Sequence, residues 1–508
     1  MRRVAPVIAL GLALIVVAGC QTVGPDYHLP PNASIRAPSA QGGFVGAKAN
    51  TAVSDAQPPD GWWRLYDDPR LDGLVKKAFA ANTDLRIAEA NLERSQALVS
   101  EAKAAGRPNL TVNFDPSYAQ LSPEQYLVTQ PVPVQGLYDV GLALSYEVDL
   151  FGRIRRGVEA AQADDEAVEA SRDLVRVNVA AEVTRAYVDA CGAGAELTSA
   201  RQSLELQRRS LEFTQRLLGA GRGSALDVVR SRGQAEQLRG NIPVLLARQR
   251  NAEFRLATLT GQPPAEFDAS LDACAAPPIL RRPIPVGDGA ALLKRRPDVR
   301  EAERRLAAAT ATIGIRTAAL YPTITLGASV GSTGATASAF SALTNRYAVG
   351  PGIVWSLDHT ADRARIEQAR AQAKAELAHF DGVVLIALRE VESALNGYSR
   401  DLERDASIKA ARDQALQALA DVHRLQSVGR ATALATLDAE RTLAMEEVAV
   451  TASENQLSTD QVGLFLALGG GWRGDSPALG PPAAHAVVGA ARQETARELP
   501  AAVGQVWR

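Results

Sequence analysis

Histidine and methionine are scarce in this 508-residue chain. The five histidines are scattered without the spacing of metal ligands, and Met445 is the only methionine after the initiator. The 57 acidic and 55 basic side chains nearly cancel, so the formal net charge is −2 and gives no electrostatic case for nucleic acid. We therefore expect no metal site, no catalytic cluster and no cofactor.

Cysteine is also rare, and the first of the three cysteines ends an N-terminal export signal. Residues 1–19 combine a basic start with an apolar run that is too short to span a bilayer, as in a secretory signal. The residues Val17-Ala18-Gly19-Cys20 look like a bacterial lipobox. We expect export and a covalent lipid on Cys20.

The other two cysteines, Cys191 and Cys274, fall in a predicted helix and in a predicted linker. Export to an oxidising compartment permits a disulfide between them. We expect two ordinary buried thiols, with the disulfide as the alternative.

Proline is absent from two long stretches, residues 153–220 and 361–428. At about 1.5 Å per residue, each stretch predicts a helix roughly 100 Å long. Apolar residues in the second recur every three or four positions, which places one stripe on one face: Ile366, Ala369, Ala373, Leu377, Phe380, Val384, Leu388, Val391, Leu395, Tyr398 and Leu402. Such a helix needs partners to bury its stripe. Predicted returning helices (225–259 and 433–468) and entering helices (84–105 and 298–319) supply them, two short helices end to end along one long helix.

Alternating apolar and polar residues predict two strands ahead of each long helix. The pattern is clearest from Tyr138 to Leu150 and recurs in residues 110–115, 323–330 and 347–357. A soluble hairpin gives the same pattern, but strands longer than nine to eleven residues, with aromatics such as Tyr146 among them, favour a membrane barrel. Four strands cannot close a barrel, so several chains must share one: two would give eight strands and three would give twelve.

The chain repeats itself, because residues 84–108 match 298–322 and Gly221-Arg222 matches Gly429-Arg430. The divisions expected are a signal (1–19), a lipidated extended segment (20–61), a first repeat (62–268), a linker (269–285), a second repeat (286–472) and a disordered tail (473–508). Within the repeats, hairpins are expected at about 109–150 and 322–358, and the long and returning helices at about 152–260 and 360–468.

This order of elements behind a lipobox resembles the TolC-like outer membrane factors, in particular the NodT-like lipoproteins of RND-type efflux systems. The resemblance covers nearly the whole mature chain. Its motifs are Val23-Gly24-Pro25-Asp26-Tyr27, Trp62-Trp63 with Asp68-Pro69-Arg70-Leu71, Glu147-Val148-Asp149-Leu150-Phe151-Gly152-Arg153, Arg295-Arg296-Pro297-Asp298-Val299-Arg300, residues 302–309 and Leu468-Gly469-Gly470-Gly471-Trp472.

The resemblance implies an α+β membrane protein whose four strands are one share of a trimeric twelve-stranded β-barrel, continuous with a long periplasmic α-helical tunnel. It implies a passive conduit in the outer membrane, lipid-anchored, and no enzyme. A homotrimer would work with an inner-membrane RND transporter and a periplasmic membrane-fusion adaptor. The adaptor would dock on the helical tips, at Gly221, Arg222, Gly429 and Arg430.

The resemblance also implies a periplasmic gate at Leu434, Asp438 and Arg441, which match the family's Leu-x-x-x-Asp-x-x-Arg. Three leucines would resist wetting, and three converging aspartates would concentrate cations. The alternative is a solvated acid–arginine pair on a helix surface. One departure from the family lies before the second long helix, where residues 357–363 replace the usual Gly-Arg, so the joint is expected to differ there.

Three other functions compete with small-molecule efflux. The exit duct of a type I protein-secretion system uses the same scaffold with another pump; the lipobox and the Leu-Gly-Gly-Gly-Trp motif favour efflux of drugs and small molecules. A lipid-anchored coiled-coil adaptor would explain Cys20 and the helices but not four amphipathic strands. A wall hydrolase would need an acid pair, nucleophile or metal cluster that the sequence does not show.

Overall fold

A computed structural model describes residues 22–48, 50–124, 129–267, 271, 274, 276–280 and 282–470. The predicted signal (1–19), Cys20 and the predicted disordered tail (473–508) lie outside the described residues. None of the helices in the described ranges is both long and apolar enough to cross a membrane.

The elements follow one order twice. The N-terminal part holds α1 (Pro38–Gln41) and β1 (Val53–Ser54). The first repeat contains α2 (Pro69–Ala81), α3 (Thr83–Ala104), β2 (Asn109–Ala119), β3 (Gln135–Val148), α4 (Arg153–Gly219) and α5 (Ala225–Leu259). After β4 (Ile284–Pro285), the second contains α6 (Gly289–Arg295), α7 (Pro297–Ala318), β5 (Thr323–Ala335), β6 (Asn345–Val354), α8 (Thr360–Ser427) and α9 (Ala433–Ala467).

The two hairpins join into one antiparallel sheet with the strand order β2-β3-β5-β6. Strands β3 and β5 connect the repeats, with Leu142 opposite Val330. The strands are 11, 14, 13 and 10 residues long. The expectation that every strand exceeds nine to eleven residues is therefore wrong for β2 and β6. Strand β6 stops at Val354 rather than at 357, because the chain turns there and the Trp355 indole donates to the carbonyl oxygen of Leu320 at 3.1 Å.

The helices form one wall in which two short helices line each long helix. Helix α4 packs against α3 and α5 on one side and against α7 and α9 on the other, while α8 packs against α7 and α9. The stripe predicted on α8 is buried or half-buried along its length, with Phe380, Val384, Val391 and Leu395 fully inaccessible. The wall arrangement inferred from helix lengths is thus confirmed.

A layer of short segments covers one face of this wall near its middle. The Trp62 ring is inaccessible to solvent and stacks on Phe465 of α9 with ring centroids 4.6 Å apart. The Asp68 carboxylate caps α2 by accepting from the backbone N–H groups of Arg70 and Leu71. The same carboxylate accepts from the Tyr187 hydroxyl of α4 at 2.7 Å. The Trp-Trp and Asp-Pro motifs therefore fasten the N-terminal layer to the wall.

The expectation of two free thiols is wrong, because Cys191 and Cys274 form a disulfide with Cα atoms 4.8 Å apart. Cys191 is fully buried on α4. A Cβ atom on Gly194 would collide with the carbonyl oxygen of Cys274, so the absence of a side chain lets the linker lie directly on the helix. Residues 83 positions apart meet here through the path of the linker, which the sequence pattern does not specify.

The starts of the two long helices differ, as the sequence departure suggested. Gly152 precedes α4 with φ +81°, and the Asp149 carboxylate accepts from the N–H groups of Ile154 and Arg155 at 3.0 and 2.8 Å. Before α8, the φ of His359 is −95°, and Asp358 caps the helix by accepting from the Thr360 N–H at 3.0 Å. The second joint needs no glycine because its backbone stays in the ordinary region.

Candidate functional site

The helical tip of the first repeat is a tight glycine turn. Helix α4 ends at Gly219, and the Arg222 N–H donates back to the Leu217 carbonyl at 2.9 Å. Gly221 has φ +70°, a conformation in which a side chain is strained. Ser224 then begins α5 by accepting from the Leu226 N–H at 3.1 Å.

The tip of the second repeat has the same construction. Gly429 has φ +74°, the Arg430 N–H donates to the Leu425 carbonyl at 2.8 Å, and Thr432 caps α9 through the Ala435 N–H at 3.2 Å. No atom lies near a Cβ built on Gly429, so backbone conformation alone requires glycine. Arg222 and Arg430 are both exposed, and neither forms an ion pair within the described residues.

Large apolar side chains surround both tips and are open to solvent. They are 38% to 66% exposed: Leu218, Leu226, Val229, Leu425, Val428 and Leu434. Apolar groups left exposed together in an isolated chain indicate a surface that another protein covers. The tips thus combine two free arginines with an apolar surround.

The three residues expected to form the gate lie together on the first turns of α9. The Arg441 guanidinium donates to the Asp438 carboxylate at 2.5 Å and to the Gln234 amide oxygen of α5 at 3.3 Å. The Asp438 side chain is 64% exposed, and Leu434 as a whole residue is 48% exposed. The acid–arginine pair is therefore present, and it also ties one returning helix to the other.

The sequence did not indicate Gln234 as a partner of Arg441. A second polar contact at the same level, from the Thr436 hydroxyl to the Gln426 amide oxygen at 2.9 Å, was also missed. Both join separate helices, and no periodic pattern records which polar groups on two helices will meet. The spacing of residues along one helix predicted only the contact between Asp438 and Arg441.

The N-terminal segment reaches the junction between the sheet and the helices. The Val23 N–H donates to the Phe151 carbonyl at 3.1 Å, and Thr22 lies against Gly152. Arg156, only 4% exposed, donates to the Asp26 carboxylate at 2.7 Å and to the carbonyl oxygens of residues 23 and 24 at 3.2 Å. These contacts fix the position of the chain just after Cys20.

Tyr27 continues this attachment onto α7. Its hydroxyl donates to the Glu303 carboxylate at 3.3 Å, and the Arg304 guanidinium lies over its ring, 5.6 Å from the centroid. Burial, followed by the negative charge of Glu303, raises the pKa of Tyr27 to about 12. Tyr27 therefore stays neutral and acts as a hydrogen-bond donor at neutral pH.

No group of three or more histidine, cysteine, aspartate or glutamate side chains is arranged for a metal ion in the described part of the chain. What the residues form instead is a scaffold of paired hairpins, a helical wall and open tips. This architecture defines the class of TolC-like outer-membrane channel proteins. The comparisons with known proteins identify the family within that class.

The chain belongs to the outer membrane efflux protein family, whose model matches residues 74–262 and 290–470. It is 29% identical over 486 residues to the pyoverdine export outer membrane protein OpmQ of Pseudomonas putida, covering 92% of this chain and 98% of that protein. It is 27% identical over 475 residues to the probable outer membrane lipoprotein SilC of Salmonella typhimurium, covering 90% and 97%. The solved outer-membrane channel OprN is 34% identical with a TM-score of 0.80, covering 89% of this chain and all of that one.

Proposed function

We propose that three copies of this chain form a passive exit duct in the outer membrane for an RND-type tripartite efflux pump that exports drugs or other small molecules. The exposed apolar face of the sheet carries this proposal. Its outer strands present Leu110, Val112, Phe114, Tyr118, Tyr347, Val349 and Ile353 to solvent, each more than half exposed. Such a face is stable in a bilayer rather than in water.

The open edges of the sheet require further copies. Within the described residues, β2 pairs only with β3 and β6 only with β5, so one edge of each outer strand has no partner. Unpaired backbone groups in lipid cost several kcal/mol each, and only a closed barrel removes them. Three copies give twelve strands and room for a channel, whereas two give eight strands with a filled interior.

The two ends of the helical wall support the same assembly. Ile87 and Leu98 of α3 are 60% and 52% exposed, and Leu385 and Ile386 of α8 are 59% and 44% exposed. These apolar residues lie on helices at opposite ends of the wall. In a ring of three copies, α8 of one copy would pack against α3 and α5 of the next and bury both sets.

The N-terminal segment supports a lipid anchor on Cys20. Only Gln21 lies between Cys20 and Thr22, so two steps of about 3.5 Å give a reach of about 7 Å, and Thr22 lies beside Gly152 where the sheet ends. A lipid on Cys20 would therefore enter the membrane surface next to the proposed barrel. A single acyl chain binds a protein to a membrane only weakly. The several acyl chains of a lipoprotein anchor and the barrel would therefore hold the protein in the membrane together.

The tips are the proposed docking site for the adaptor, through Gly221, Arg222, Gly429 and Arg430. The gate is proposed at Leu434, Asp438 and Arg441, where three copies would bring three carboxylates and three leucines to the tunnel end. A photoreactive amino acid at Arg430, with a matched one at the exposed Arg370 of α8 as control, tests the docking site in living cells. Capture of an RND-type adaptor only from position 430 is expected, and a trimer-sized band in outer-membrane fractions should accompany it.

Two results would contradict the proposal. Capture of an adaptor from a type I secretion system would assign the duct to protein export. Equal capture from positions 370 and 430 would show that the tips are not the docking site.

A further inference from the structure

A cavity of about 750 Å³ opens where the end of α9 meets the start of α7, between α4 and α8. It lies on the face of the helical wall opposite the N-terminal layer. On the covered face, Trp62 stacks on Phe465, and the Glu392 carboxylate accepts from the backbone N–H groups of residues 45 and 46. The cavity is lined from the other side of these helices by residues that include Val177, Arg185, Arg296, Arg389, Tyr398 and Asp460.

One of the three arginines in the lining is fully occupied. The Arg296 guanidinium contacts the Asp298 carboxylate at 2.7 Å and the Glu390 carboxylate at 2.8 Å, and it donates to the Ala467 carbonyl at 2.8 Å. The positive charge of Arg296 offsets one of these two negative charges. Arg389 and Arg185, which line the same cavity, add two positive charges against the one that remains.

The other two arginines retain unused donors. The Arg389 side chain has no hydrogen bond and no ion pair with the described residues, and it is exposed to the cavity. Arg185 makes one loose ion pair with Glu182 at 3.5 Å, and its Nε atom is buried without a hydrogen-bond partner. A buried donor without an acceptor costs free energy, which an acceptor supplied by a ligand would recover.

The rest of the lining mixes apolar residues with the polar Asn178, Ser393 and Thr459 and includes the acid Asp460. Val177, Ala394 and Leu466 provide apolar surface between the helices. Asp460 lies beside Asp401, which is about 18 Å further along α8 than Arg389 at about 1.5 Å per residue. Arg389 and Asp401 are therefore separated by about three turns of α8.

We infer that this cavity binds an amphiphilic organic anion, with its carboxylate or sulfonate against Arg389 and Arg185 and its apolar body along Val177, Ala394 and Leu466. The N-terminal layer occupies the outside of the wall in the proposed trimer, so the cavity faces the tunnel. This placement rests on the proposed function; the binding itself does not. The site would hold an anionic solute weakly on its way through the duct.

Fluorine NMR on the purified full chain in non-ionic detergent tests the site. The probe is 4-fluorobenzoate, compared with the neutral 4-fluorobenzamide and the cationic 4-fluorobenzylamine. The fluorine signal of benzoate should broaden as protein is added, with a dissociation constant in about the millimolar range. The benzamide and the benzylamine should bind far more weakly. Replacing Arg389→Gln should weaken benzoate binding about tenfold, because a hydrogen-bonded charge pair is lost.

Arg400→Gln is the matched control, because Arg400 lies on the same helix and pairs with Glu403 at 2.7 Å on an exposed surface. It should leave binding unchanged. Arg389→Gln should also leave the melting temperature unchanged, since Arg389 makes no contact that folding needs. Equal benzoate binding by native protein and the Arg389→Gln variant, or equal binding of all three probes, would overturn the inference.

Channel formation in lipid bilayers is measured separately on the same samples. Benzoate binding without channels would leave the site intact and contradict the proposed function. Channels without benzoate binding would leave the proposed function intact and contradict the site.

Discussion

Asp26 accepts a hydrogen bond at 2.7 Å from Arg156, and this pair fastens the N-terminal segment to the first turns of α4. Arg156 is almost completely buried, whereas the Asp26 side chain is 76% exposed. The guanidinium also holds the carbonyl oxygens of Val23 and Gly24. Most of the attachment therefore comes from the arginine and not from the exposed carboxylate.

We predict that Arg156→Met lowers the free energy of unfolding by about 1–2 kcal/mol, because several charge-assisted hydrogen bonds are lost. Asp26→Ala should cost less than about 1 kcal/mol, because exposed ion pairs contribute little. Thermal unfolding and limited proteolysis of residues 22–48 measure both effects. Arg363→Met, at an exposed arginine near the start of α8, is the control. An equal loss of unfolding free energy in Arg156→Met and Asp26→Ala would contradict the conclusion that the arginine provides most of the attachment.

The disulfide between Cys191 and Cys274 should contribute about 2–4 kcal/mol, because it closes a long loop in the unfolded chain. We expect the double variant with alanine at both positions to melt at a lower temperature than the native chain. Reduction of the native chain should lower its melting temperature to that of the double variant. Maleimide labelling after unfolding without reductant checks the bond directly. Labelling of both cysteines in protein taken from the periplasmic side of the cell would show that the bond does not form.

Local sequence patterns predicted the bounds of the long helices closely, but they did not predict contacts between segments that are distant in the sequence. Helix α5 was expected at residues 225–259 and is found there, because Ser224 caps it and apolar spacing continues to its last turn. The disulfide was not expected, because no pattern fixes the path of the linker across α4. The contact between Arg441 and Gln234 was missed for the same reason, since it depends on how two helices are placed in space.

Asp460 offers a test by pH. Burial and the neighbouring Asp401 carboxyl raise its pKa from 3.8 to about 6. The folded chain therefore holds this proton more tightly than the unfolded chain, so stability falls as the pH rises from about 4 through about 6. Above pH 6 both carboxylates of the folded chain are charged, and their repulsion lowers its stability. Arg404 offsets little of this repulsion, because its guanidinium lies 3.8 Å from the Asp401 carboxylate.

We predict that Asp460→Asn raises the free energy of unfolding at pH 7.5 by about 1–2 kcal/mol, after allowance for solvent screening of a half-buried group. The difference from the native chain should disappear near pH 4. Melting temperatures across this pH range measure it. Asp413→Asn, which removes an exposed acid paired with Arg412, should show no such pH dependence. A stabilisation by Asp460→Asn that is equal at pH 4 and pH 7.5 would be inconsistent with the raised pKa.

The gate is tested by conductance. Replacing Leu434 and Asp438 together with alanine removes the apolar side chain and the carboxylate that Arg441 binds at 2.5 Å. We expect a larger single-channel conductance in planar bilayers and a weaker preference for cations, because three leucines would no longer resist wetting and three carboxylates would no longer attract cations. Arg441→Ala should also raise conductance, since the contact with Gln234 that joins α9 to α5 is lost.

Glu440→Ala is the matched control for the gate, because it removes one acid from the same helix at a position away from Leu434 and Asp438. Its conductance should equal that of the native channel. The double variant should unfold at the same temperature as the native chain, because Leu434 and Asp438 are both exposed. If Glu440→Ala and the double variant raise conductance equally, overall charge at the tips determines the conductance, and the three residues do not form a gate.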